Sequence, residues 1–393
     1  MPPESEIDDP NERFRERRSQ ARKRRHHHRN FALAALAIAA ALVVLGATVI
    51  GTRHHGSGKS AAATRKAKKK TKPAGPRALP AEVRGVHVTM ATASLDGALA
   101  KYFAIPGLNT IELDVKDENG EVGFLMPRWT LARKIGASKR YYNARRVADE
   151  AHKSGIYLIG RVVTFEDPML TSARPEMAIR TTSGAVWQNN AGLGWSNPYD
   201  KRVWNYVLSI SKAAARAGFD EIQFDYIRFP SDGPIENAVF SGKTPEAQGW
   251  TIARIVQYMS KRLRPMGVRV SVDVFGLSAT HDLGIGQVPR RISKYVDAVY
   301  PMVYPSHYRS GEFNLPDPSS APGQTVGFSL RDFRAALLGR KAMLIPWLED
   351  FSLTSARRPP EEVRAQIQAA RKYHAKGFLL WNPSGVYTEE VLK

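Results

Sequence analysis

The sequence predicts an α/β protein: one (β/α)8 TIM barrel over residues 81–393, preceded by a single transmembrane helix and a disordered basic linker. Three observations carry that reading. Eight short β-branched runs alternate with amphipathic runs after residue 85, four strand candidates follow glycine-terminated helical runs, and the stretch has the length such a barrel requires.

Taken in order, residues 1–30 form a cytoplasmic basic tail, with nine Lys/Arg against six Asp/Glu. Residues 31–51, FALAALAIAAALVVLGATVIG, carry no charge and as a helix reach about 31 Å, the thickness of a bilayer's hydrocarbon core. The preceding RRSQARKRRHHHRN holds seven basic groups and no acid, a bias that keeps the N-terminus cytoplasmic and sends the C-terminal part outward. A cleaved signal peptide is the competing reading, but its apolar region runs to roughly 7–15 residues and ends in a small-residue site, which this stretch lacks.

Residues 52–80 carry nine Lys/Arg and no Asp/Glu among Ala, Gly, Ser and Pro, without apolar periodicity, and so read as a solvated tether. The run KAKKK at 66–70 suits anionic lipid or wall polymer beside a membrane span better than a specific nucleic acid. Of the net charge of +21, the tail and tether account for more than half, and residues 81–393 are only moderately basic.

The strand candidates are 85–89, 110–116, 157–165, 221–230, 269–276, 298–305, 342–350 and 377–383, with Gly155, Gly218, Gly267 and Gly377 as left-handed helix ends before four of them. In TIELDVK, alternation sends Ile111, Leu113 and Val115 toward the helices and Glu112, Asp114 and Lys116 inward. The same parity turns Gln223, Asp225, Ser271 and Asp273 inward. Inward carboxylates are costly to bury without partners, so a group of them near strand ends points to a solvated site at the C-terminal mouth.

At that mouth the expected residues are Asp114, Lys116, Arg161, Asp225, Arg228, Asp273, Tyr304, Glu349, Asp350, Trp381 and Asn382. Two carboxyl groups flanking a bond are what glycoside hydrolysis needs, one as acid and one as nucleophile or base. Asp225 is the expected nucleophile or base, with Asp273 or Glu349 as the acid. Lys116, Arg161, Arg228 and Tyr304 are expected to orient them or bind sugar, with Trp381 as a stacking floor, and the basic surroundings suit an anionic glycan. Trp187, Trp195, Trp347, Tyr300 and Tyr308 are further candidate stacking rings, and the long segment 166–200 reads as a functional loop.

The chain has no cysteine, which excludes disulfides, thiolate metal sites and cysteine nucleophiles. There is no HExxH, Walker loop, GxSxG elbow or phosphate cradle, and no histidine completes a metal set with Asp114, Asp225 and Asp273. No cofactor or metal is expected.

WSNPYDKRVWNYV (195–207), AGFDEIQFDYIRFPSDG (217–233), SVDVFGL (271–277) and DAVYPMVYPSHY (297–308) together resemble the bacterial "putative glycosyl hydrolase domain" family across about residues 83–390. The resemblance implies a glycosidase-like TIM barrel, with Asp225, Arg228, Asp273, Tyr304 and His307 at the mouth. The fourth strand also resembles a chitinase motif through Asp220 and Asp225, but Gln223 and Ile227 depart from it, and Ile227 stands where that motif keeps its acid. The expected function is hydrolysis of a cell-surface or extracellular polysaccharide, the alternative a carbohydrate- or wall-binding barrel without catalysis.

Overall fold

Eight parallel strands close on themselves in chain order: β1 (Val83–Val88), β2 (Thr110–Lys116), β3 (Tyr157–Val163), β4 (Glu221–Asp225), β5 (Arg269–Phe275), β6 (Ala298–Met302), β7 (Met343–Leu344 and Trp347–Glu349) and β8 (Gly377–Trp381). The ring is sealed where Val83 of β1 lies opposite Gly377 of β8. The computed structural model describes residues 75–352 and 358–393. Residues 1–30, 31–51 and most of 52–80, expected as a cytoplasmic tail, a membrane span and a linker, lie outside the described residues. Among the described residues no helix is long and apolar enough to cross a membrane.

Alternation decides the two faces of the wall. Val86, Val88, Ile111, Leu113, Val115, Leu158, Ile222, Phe224, Val270, Val272, Val299, Phe378 and Leu380 all join the apolar cluster between sheet and helices. Their alternate neighbours, among them His87, Glu112, Asp114, Arg161, Gln223, Asp225, Ser271 and Asp273, are buried polar groups of the interior. β7 is split because Pro346 has no N–H to donate; the chain recovers pairing at Trp347, opposite Met302 and Leu379.

All four expected glycine helix ends stand in positive φ, and three of them close a helix as expected: Gly155 at 75°, Gly218 at 110° and Gly267 at 84°. Gly377 does something else. Its φ is 140°, and a Cβ there would lie 2.1 Å from the Val83 carbonyl oxygen, so glycine is required by the closing seam of the barrel. The left-handed residue after the helix Pro360–Lys372 is His374, φ 55°.

The segment 166–200 is folded onto the barrel's C-terminal end. It carries a short helix, Pro168–Ala173, and its strand Arg180–Thr181 pairs with Ala238–Val239 from the connection after β4. Trp187 and Trp195 are wholly buried inside this cap, Trp187 donating to the Pro234 carbonyl, so they are core residues rather than stacking rings.

Candidate active site

The centre of the mouth is Arg161, buried at the upper end of β3. Its Nε and Nη2 donate to one oxygen of Asp225, Oδ2, at 2.9 and 2.7 Å. Its Nη1 donates to Asp114 Oδ1 at 2.7 Å and to Glu118 Oε2 at 3.4 Å, while Glu112 Oε1 lies 3.7 Å from Nε. Four carboxylates therefore share one guanidinium. Burial opposes the charge of Arg161, but Asp225, Asp114 and Glu112 outweigh it and hold the group firmly protonated.

The other oxygen of Asp225, Oδ1, accepts the backbone N–H of Tyr226 at 2.7 Å. Tyr226 reaches it by adopting φ 49°, an uncommon conformation for a residue with a side chain, at the point where β4 ends. The Asp225 side chain keeps 11% of its surface exposed, against 3–5% for the other members of the Arg161 group whose side chains touch solvent at all.

Asp273, one strand away, is held differently. Its Oδ1 accepts from the neutral donors Gln223 Nε2 and Trp347 Nε1, the latter at 2.7 Å. Burial, then the charges of Asp225 and Glu112, push its carboxyl well above the usual range, favouring its protonated form. Tyr304 faces the same charges; burial first, then Asp273 and Asp225, raise its hydroxyl. Tyr304 packs with His307 and Phe351, and Trp381 lies between His87, at 4.5 Å between ring centroids, and Trp347, at 6.0 Å.

Other expected mouth residues lie elsewhere. Lys116 is fully buried and pairs with Asp167 at 3.0 Å while donating to the Val163 carbonyl. The cause is a bulge: pairing with β3 slips between Asp114 and Lys116, so the lysine leaves the inward series that Glu112 and Asp114 follow. Glu349 is wholly buried, bound by Arg358 at 2.8 Å and by the Ser306 N–H at 2.9 Å. Burial pushes its carboxyl up against the pull of Arg358. Asp350 accepts from the backbone and hydroxyl of Thr388, and Asn382 donates to the Asp350 carbonyl.

Arg228 sits over the rings of Phe275, Trp195 and Tyr226 at 4.7–5.0 Å and donates to Ser231 and the Phe229 carbonyl. Tyr300 lies on the barrel floor beside Glu221, which also receives the Tyr157 hydroxyl at 3.0 Å. Tyr308 is buried and donates to Ser329.

Sequence reasoning missed His87 and Glu118. His87 Nδ1 is hydrogen-bonded to Glu112 and its Nε2 lies 3.7 Å from Asp114. The signal was present in GVHVT: with Val86 and Val88 facing the helices, His87 must face inward. Glu118 comes from the loop after β2, where no periodicity marks it.

The profile of the family described as "putative glycosyl hydrolase domain" matches residues 85–387. The chain belongs to that family. A hypothetical protein from Ruminiclostridium thermocellum ATCC 27405 is 36% identical, covering 48% of this chain and 97% of its own, with a TM-score of 0.44. The PgaB (BpsB) glycoside hydrolase domain from Bordetella bronchiseptica is similar in fold, at 14% identity, 76% and 94% coverage and a TM-score of 0.52. So is the endo-beta-1,4-mannanase from Thermotoga petrophila, at 10% identity, 77% and 68% coverage and a TM-score of 0.50. A search of curated proteins found no match.

Proposed function

We propose that this family member is a glycoside hydrolase in which Asp225 supplies the electron pair, to the anomeric carbon or to a water, and Asp273 protonates the leaving oxygen. The supporting observation is the unequal treatment of two neighbouring carboxyls. Asp225 receives the Arg161 fork and a backbone N–H, while Asp273 receives neutral donors and is pushed up by burial and by Asp225 itself. Environments that drive paired carboxyls apart divide the acid role from the nucleophile or base role.

Arg161 orients Asp225 and Trp347 orients Asp273, with Trp381 edge-on to Trp347 and Tyr304 within the field of both carboxyls. Glu349 and Lys116 take no part, each being closed by its own partner. The charge pattern of residues 1–51 supports a membrane-anchored enzyme with its barrel outside the cytoplasm, and the tether 52–80 supports contact with anionic lipid or wall polymer. The substrate is then a cell-surface or extracellular polysaccharide.

The test is release of reducing ends from wall polysaccharides by the full chain, and its loss in Asp225→Asn. A barrel that binds glycan without cleaving it is the second reading, favoured by the guanidinium lying across Asp225 Oδ2. Binding with no reducing ends from either protein selects it.

A further inference from the structure

A parallel barrel puts the first residues of all its strands at one end, the foot, opposite the mouth. The segments that lead into the strands there are 75–82, 104–109, 152–156, 216–220, 264–268, 293–297, 337–342 and 373–376, and together they hold eight Lys/Arg against three Asp/Glu. Each of the three acids already has a basic partner: Glu82 has Arg371 at 2.7 Å, Asp220 has His152 at 3.0 Å and Asp297 has Arg264 at 3.0 Å. Lys153, Arg216, Lys294 and Lys341 stand exposed. The imbalance is local to this end. The connections 117–143, 164–200 and 226–247, which leave the strands at the mouth, together hold nine Lys/Arg against ten Asp/Glu.

A second observation is apolar. Leu338 is 75% exposed. It lies just past the helix Pro322–Ala336, where its N–H is held by the Ala335 carbonyl and the chain turns at Gly339, φ 75°. Arg340 and Lys341 follow it directly, and the Met343 N–H on the Asp297 carbonyl brings the Lys294 segment alongside. An apolar side chain displayed among basic groups suits the boundary between headgroups and acyl chains, where burial of apolar area and attraction to anionic lipid add. The third observation is where the rest of the chain joins. Residues 1–74 precede β1 at this same end, and the entering segment is fastened there by Arg269, which donates to the Arg77 carbonyl.

We propose that the foot of the barrel is a lipid-facing surface, resting on the anionic headgroups of a bilayer with Leu338 in the interface. This rests on the reading of residues 31–51 as a membrane anchor, and it adds to the tether a second contact, made by the barrel itself. Docking by the foot points the mouth away from the bilayer. The Arg161 group then opens toward polymer outside the membrane.

The chain has no cysteine, so one introduced thiol carries a fluorescent label at a single place. The full chain is labelled at Leu338→Cys or, in the cap at the mouth end, at Thr182→Cys, and reconstituted into vesicles containing nitroxide-bearing acyl chains. The vesicles are phosphatidylcholine alone or an equal mixture with phosphatidylglycerol. On the mixture at low salt the 338 label should shift to the blue and be quenched while the 182 label is not. Raising salt or omitting phosphatidylglycerol should release it, and Lys294→Glu with Lys341→Glu should lower the ratio of docked to undocked chains about tenfold or more. Equal quenching at 338 and 182, quenching that phosphatidylcholine alone sustains, or quenching that the double variant leaves intact overturns the proposal. So does a 338 label that stays in water on the mixture, whatever soluble polyanion the chain binds. Resistance to alkaline extraction is scored separately: a chain that alkali strips from the mixture after its 338 label had entered defeats the anchor reading alone, and an integral chain whose 338 label stays in water defeats this proposal alone.

Discussion

Asp225 and Glu349 both end inward-facing strands of one barrel, both are buried, and both touch an arginine, yet they belong to opposite kinds of environment. Glu349 has Arg358 on one oxygen and a backbone N–H on the other, and its side chain has no solvent-exposed surface. Asp225 competes with Asp114, Glu118 and Glu112 for one guanidinium and keeps part of its surface open. A matched pair is a fastening. An arginine shared among four carboxylates holds none of them exclusively, and Asp225 is the one of the four whose side chain is most open to solvent.

The strongest way to break this contrast is to remove the shared cation. Arg161→Met removes the cation that four buried carboxylates share and is expected to cost about 3–5 kcal/mol or abolish folding at neutral pH. Urea titration should show partial recovery as pH is lowered and those carboxylates are protonated. Asp225→Asn should instead reduce turnover by about 10³-fold with little change in urea midpoint. Glu349→Gln should do the reverse, losing about 3 kcal/mol because Arg358 keeps its burial without its main partner, while activity per folded molecule is retained. If Glu349→Gln removes activity and Asp225→Asn does not, the two sites have been assigned the wrong way round.

A finer test uses pH. Asp117, raised to about 6 by burial and then by Asp114, holds in the folded chain a proton that the unfolded chain has released. Its contribution is therefore full below about pH 4, the unfolded value, and is lost as pH rises through about 6. Urea midpoints measured between those limits should fall with pH, and Asp117→Asn should flatten that slope. The smallest expected effect is at Tyr226. Glycine relieves its positive φ, worth about 1–2 kcal/mol, and gives back roughly 0.5–1 kcal/mol in chain entropy, so stability should barely move and activity should persist.

The strands were legible because alternation of small apolar and polar residues has one solution in a closed wall, and the inward positions of Asp114, Gln223, Asp225 and Asp273 follow from it. Lys116 was misplaced because a bulge changes parity without any residue type to announce it. Gly377 was read by its residue type as a helix end, whereas its reason lies across the seam in Val83. The pairing of Glu349 with Arg358 joins a strand to the segment before the next helix, and Trp187 and Trp195 look like rim aromatics until the cap that buries them is seen. His87 was available to the same alternation that found Asp114.

The sharing of Arg161 also constrains how this mouth can change over generations. Replacing it first exposes every acid it serves to the others at once, whereas neutralising Asp114 or Glu118 first lightens what it must balance. Substitution at position 161 is thus conditional on prior history, and relatives that lack the arginine should already lack some of its acidic neighbours.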